Sequence, residues 1–221
     1  MSDYARVLAA LRRVRGLSPF FALDVGRPDD GWRAGTELLD GPALGETVGR
    51  IGERYRAGEA RVAASLFFLG YSARLTCPVV AAHAVGEAVP DIRPDNVWWH
   101  YGPEGFRVRL REPVGGTATV AESLAPVVAA LRRVVPVAEG LLWGNAASSM
   151  AGALRTVARS GERTAEECVD LGERLLGEHP FAGSGEFVPF PGEVAFRRRS
   201  CCLYYRLDGG GTCGDCPLPP R

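Results

Sequence analysis

Apolar residues at Tyr4, Val7, Leu8, Leu11 and Val14 recur at steps of three and four behind Ser2, which predicts an amphipathic helix with a serine cap. From Ser18 to Gly41 the chain is broken by Pro19, Gly26, Pro28, Gly31 and Gly35, so turns should outweigh regular elements there. Helical periodicity returns over Pro42 to Arg56 and again over Glu59 to about Val85. The second of these stretches is apolar on most sides, around Ala63, Leu66, Phe67, Leu69, Leu75, Val79 and Val80, as a central buried helix requires.

Strict alternation in Phe106-Arg107-Val108-Arg109-Leu110-Arg111, facing Val97-Trp98-Trp99-His100 across Tyr101 to Gly105, predicts a β-hairpin. Further helices are expected at Val120 to Val135, with Pro126 weakening its start, at Leu141 to Arg159, and at Arg163 to Leu176. Phe181 to Gly192 is rich in glycine and proline, and Glu193 to Leu207 reads as a strand leading into the tail. The sum is an α+β fold: one mostly helical domain with short antiparallel β-hairpins and a cysteine-rich C-terminal tail. Within it, residues 1–196 form the body and 197–221 the tail segment.

Composition narrows the function classes. The 221 residues carry 26 basic and 26 acidic side chains, so the chain lacks the electrostatic footprint of a nucleic-acid binder. Every basic residue is arginine, which removes lysine Schiff bases and the phosphate-cradling lysine of a P-loop. Charges at Asp3, Arg6, Arg12, Arg13 and Arg15 interrupt any secretory signal, and no run of apolar residues reaches the length of a membrane span. The expectation is a cytoplasmic protein without a transmembrane segment. In that compartment six cysteines point to thiols or metal ligands rather than disulfides.

Four of those cysteines fall in the last 21 residues: Cys201-Cys202, ten residues, then Cys213-Gly214-Asp215-Cys216. A Cys-x-x-Cys turn lets two thiolates converge on one metal, and Gly209-Gly210-Gly211 allows the tail to fold back so that this turn faces the adjacent pair. On a regular strand Cys201 and Cys202 would point to opposite faces, so both reach one centre only if the backbone bends there. Zinc, a single iron and an iron-sulfur cluster all suit four thiolates. A zinc ribbon normally has two Cys-x-x-Cys knuckles, from which the vicinal pair departs.

This Cys-Cys-x10-Cys-x2-Cys tail resembles the C-terminal motif of the FhuF-type ferric-siderophore reductases. Leu142-Trp143-Gly144-Asn145-Ala146-Ala147-Ser148-Ser149 is similar to a Leu-Trp-Gly-Asn segment of that family. The resemblance implies that Cys201, Cys202, Cys213 and Cys216 hold one [2Fe-2S] cluster. It also implies that the cluster passes single electrons to a ferric siderophore of the hydroxamate type. A separate redox protein, such as a ferredoxin, would be the donor. The chemistry is coherent: hard oxygen ligands bind Fe(III) far better than Fe(II), so one electron loosens the iron without hydrolysis of the carrier. Two other readings stay open, a zinc-stabilised structural module and an iron-sulfur carrier or sensor with no siderophore activity.

Around the tail, Arg197, Arg198 and Arg199 are candidates to tune the cluster or dock an acidic donor, and Trp98, Trp99, Tyr204 and Tyr205 to line a substrate platform. Core packing competes for these aromatics, and only one of two adjacent strand tryptophans can face the core. Asn145 is a candidate to orient a partner element within a helix of small, packing residues. Cys77 and Cys168, set among apolar neighbours, read as buried thiols. His83, His100 and His179 lack metal-site spacing, and Gly209 to Gly214 matches G-x-G-x-x-G with no room for the helix that motif needs.

Overall fold

Each helical stretch foreseen in the sequence is a helix in the computed structural model, which describes residues 2–218. They are α1 (Asp3–Leu17), α2 (Pro42–Tyr55), α3 (Ala60–Ala84), α4 (Val120–Val134), α5 (Glu139–Arg159) and α6 (Ala165–Leu176). Local chemistry sets their starts. Ser2 accepts a hydrogen bond from the Ala5 N–H, while Thr119 with Glu122 and Thr164 with Glu167 form reciprocal capping boxes. Pro126 does not break α4, because Leu124, Val127, Val128 and Leu131 are buried around it and packing outweighs one lost backbone bond.

α3 and α5 pack together at the centre. Ala146, Ala147 and Ala151 of α5 are fully buried, and such small side chains let the two helix backbones approach closely. By length and composition α3 could cross a membrane, yet 72% of its apolar window is buried inside the molecule, as befits the predicted core helix.

A four-stranded sheet covers another side of α3. β1 (Asp24–Val25), β2 (Arg33–Ala34), β3 (Val97–Gly102) and β4 (Gly105–Leu110) lie in the order β1-β4-β3-β2. The β3–β4 hairpin matches the alternation that predicts it, whereas β1 pairs parallel to β4, a pairing that two residues inside a loop-rich passage give no sign of. Trp99 stacks on Phe106 with ring centroids 5.7 Å apart, and Phe106 meets Phe67 of α3 edge-on at 5.5 Å.

Near the C-terminus the predicted strand from Glu193 to Leu207 is cut short. β6 runs only from Ala195 to Arg198 and pairs antiparallel with β5 (Gly185–Val188), which lies in a passage expected to be irregular. Phe187 and Phe196 face each other across this pair at 5.2 Å. Gly185 is required there, since a Cβ would stand 2.7 Å from the Arg197 carbonyl oxygen. The strand ends because the next residues turn into the cysteine tail.

Phe67→Ala should destabilise the fold by about 3–5 kcal/mol, since it empties the aromatic contact between α3 and the sheet. Denaturant unfolding of the two proteins measures this, and a loss below about 1 kcal/mol would contradict the packing described.

Candidate metal centre

The tail is built by a few turns that follow β6. The Arg198 N–H donates to the Asp215 carbonyl at 3.0 Å, which sets the strand end against the Cys213–Cys216 turn, itself closed by a 3.1 Å bond from the Cys216 N–H to the Cys213 carbonyl. Directly after the vicinal cysteines, Leu203 adopts the left-handed conformation with φ of 65°. The chain therefore turns directly after the vicinal pair. The glycine run then folds back: Gly209 has φ of 74°, and a Cβ on Gly210 would lie 2.2 Å from the Tyr204 carbonyl oxygen.

Two anchors hold this loop to the body. The buried Asp215 carboxylate accepts from Ser148 Oγ at 2.5 Å and from an Arg155 Nη at 2.8 Å, both on α5. Arg206 forms an ion pair with Glu59 at the start of α3.

The sulfurs are drawn together to different degrees. Cys202 and Cys213 are in contact, Sγ to Sγ 3.7 Å, and the Leu203 N–H donates to Cys201 Sγ at 3.3 Å. Among the described residues no set of three or more His, Cys, Asp or Glu side chains converges further into a metal-holding group. The hydrogen bond shared with Cys213 lowers Cys202 below the usual thiol range, against the opposing effect of burial. The same shared proton raises Cys213, with burial adding to it. Cys201 is pushed up, first by burial, with the charges of Cys202 and Cys216 contributing.

The donor set fits a thiolate-held iron group. Two thiolates on one tetrahedral metal, with bonds of about 2.3 Å, lie about 3.8 Å apart. The Cys202–Cys213 separation of 3.7 Å matches that spacing.

Beneath the thiols runs a buried polar chain. Ser65 Oγ donates to the Cys202 carbonyl at 2.7 Å, and Asn145 Nδ2 donates to the Ser65 carbonyl at 3.0 Å and to Ser65 Oγ at 3.1 Å. Arg198 completes it, donating from an Nη to Asn145 Oδ1 at 2.6 Å. Gly144 makes this possible, since a Cβ there would stand 2.2 Å from Ser200 Oγ and 3.2 Å from the Arg198 guanidinium. The Leu-Trp-Gly-Asn segment is thus the surface on which the tail sits.

Several candidates change meaning. Trp99 is 2% exposed and packs in the core, while Trp98 is half-buried under the Arg111 guanidinium, 4.4 Å from its ring. Both belong to the sheet that meets α3 at Phe67, whereas the tail meets α3 at Ser65. Arg198, also 2% exposed, cannot dock a partner because it is sealed between α5 and the tail. Arg197 and Arg199 are exposed and both reach Glu186. Tyr204 is exposed, and Tyr205 stacks with Arg206. Cys77 and Cys168 are buried, and burial pushes the Cys77 thiol up to about 12. Ser65, Ser148, Arg155 and Asp215 were not foreseen; the one visible hint was polar residues inside helices otherwise apolar.

Residues 198–218 match the family model described as the FhuF 2Fe-2S C-terminal domain. A comparison with curated proteins finds no match to the chain. The matched segment begins at Arg198 and takes in the four tail cysteines, and the cofactor it denotes is a [2Fe-2S] cluster.

Asp215→Ala removes two hydrogen bonds to a charged acceptor, each worth about 1.5–3 kcal/mol. The loaded protein should then lose its iron to a chelator about tenfold faster or more, while unfolding of the helical body changes little. An unchanged rate of iron loss would show that the Ser148 and Arg155 anchors do not hold the tail.

Proposed function

We propose, from a tail that matches the FhuF 2Fe-2S C-terminal domain, that this chain is a ferric-siderophore reductase working in the cytoplasm. Cys201, Cys202, Cys213 and Cys216 hold the [2Fe-2S] group, which when bound supplies a one-electron relay. The reaction moves one electron from a ferredoxin-like donor to Fe(III) in a siderophore, of the hydroxamate type. Fe(III) becomes Fe(II), no carrier bond is cleaved, and the weaker hold of hard oxygens on Fe(II) lets the metal leave.

The observation that carries this reading is the match over residues 198–218, together with the contact between Cys202 and Cys213, Sγ to Sγ 3.7 Å. Exposure supports it as well. Cys201, Cys213 and Cys216 are half-buried, so an electron has a short way in and out. Exposed Tyr204, with Tyr205, Arg197 and Arg199 beside it in the chain, supplies the aromatic and cationic surface for substrate or donor. Trp98 and Trp99 are not part of that surface.

The test is a spectrum and an assay of protein purified without oxygen. Iron and sulfide should each be present at about two per chain, with visible absorption that bleaches on reduction. Adding a ferric hydroxamate siderophore to the reduced protein should restore the absorption and release Fe(II) to a ferrous chelator. Cys213→Ser should lose both colour and reductase activity and keep the helical signal, because a chain of this length forms its core without a metal. A loaded, reducible protein that no ferric siderophore reoxidises would make the chain an electron carrier or sensor instead.

A further inference from the structure

Arg198 is a charge in an unusual position. Its side chain is 2% exposed, and among the described residues no carboxylate lies within ion-pair distance of it. Asp215, whose carbonyl accepts from the Arg198 N–H, spends its carboxylate on Arg155 and Ser148. The guanidinium is met only by neutral oxygens, Asn145 Oδ1 at 2.6 Å and the Leu141 carbonyl at 3.4 Å, and its Nε has no partner. A buried cation left this way costs several kcal/mol unless an anion shares its surroundings. Its surroundings in the fold are the cysteines: its N–H donates to the Asp215 carbonyl inside the Cys213–Cys216 turn, and the hydrogen-bond chain it heads through Asn145 and Ser65 ends on the Cys202 carbonyl.

We propose that Arg198, held in place by the Ser65–Asn145 hydrogen-bond chain, is the fixed countercharge of the thiolate-held group and sets its reduction potential. A [2Fe-2S] group with four thiolates carries net negative charge that grows by one on reduction. A buried cation beside it therefore favours the reduced form, and burial keeps solvent and salt from screening the effect. Asn145 and Ser65 are positioning residues. The Asn145 amide turns its oxygen to Arg198 because its nitrogen is committed to Ser65, and Ser65 in turn fixes the Cys202 carbonyl.

The inference rests on the cofactor and not on the substrate, so it can be tested with no siderophore present. The measurement is the midpoint potential of the loaded protein, followed by its visible absorption, with iron content assayed on each sample. Arg198→Gln should shift the ratio of reduced to oxidised protein at fixed poise at least tenfold toward oxidised. For one electron that is a fall of 59 mV. Arg198→Lys keeps the charge and should stay within threefold of the parent. Asn145→Asp leaves the arginine in place and gives it a carboxylate, so it should also lower the potential, as a merely structural role for Asn145 would not require. A fully loaded Arg198→Gln protein with the parent potential overturns the proposal. Should that variant fail to load, an unchanged potential in Asn145→Asp overturns it in its place.

Discussion

A guanidinium taken out of water without a carboxylate is the constraint around which the C-terminal third is arranged. Desolvating Arg198 is unfavourable, and neutral acceptors offset only part of it. Each neighbour can be understood as a response. Gly144 omits the side chain that would collide with Arg198 and Ser200, Asn145 presents an oxygen at 2.6 Å, and Ser65 holds the amide so that it is the oxygen and not the nitrogen that faces the charge.

Position follows from rigidity in the two long helices. Ser65 lies on α3 and Asn145 on α5, and these helices pack through side chains as small as alanine, so the hydrogen-bond chain between them has little room to stretch. α5 also carries Ser148 and Arg155, one and nearly three turns beyond Asn145, which hold the Asp215 carboxylate. A single helix therefore anchors the strand end before the cysteines and the turn that closes after them. The fold thus fixes the placement of these charges from one of the two helices packed at its centre.

Much of this was legible in the sequence. Periodicity and caps gave all six helices among the described residues, and alternation gave the β3–β4 hairpin, because those patterns are local consequences of burial on one face. The spacing of Cys201, Cys202, Cys213 and Cys216 pointed to a shared centre, and the chain turns at Leu203 directly after the vicinal pair. What was hidden depends on distant partners. Two-residue strands such as β1 exist only because β4 is there to pair with them. The run Arg197-Arg198-Arg199 looks uniform in sequence, yet strand alternation turns the outer two toward Glu186 and the middle one inward. Asp215, between Cys213 and Cys216, anchors that turn through Ser148 and Arg155, partners more than fifty residues away in the chain.

The adjacent cysteines make sense once the two sides of the tail are compared. Cys202 is buried, with its carbonyl taken by Ser65 and its sulfur against Cys213. Cys201, one residue earlier, is half-exposed, and its sulfur accepts from the Leu203 N–H. The vicinal pair thus places one sulfur in the interior and one toward the surface within a single residue, which two separated knuckles would do only with a longer loop. A group held by all four thiols would meet a fixed positive charge on its inner side and half-exposed sulfurs on its outer side. That division suits a relay, in which the inner side sets the driving force and the outer side sets access. Among the tail's cysteines only Cys202 is buried, and it lies outside the hydrophobic cluster, which the tail joins through Leu203.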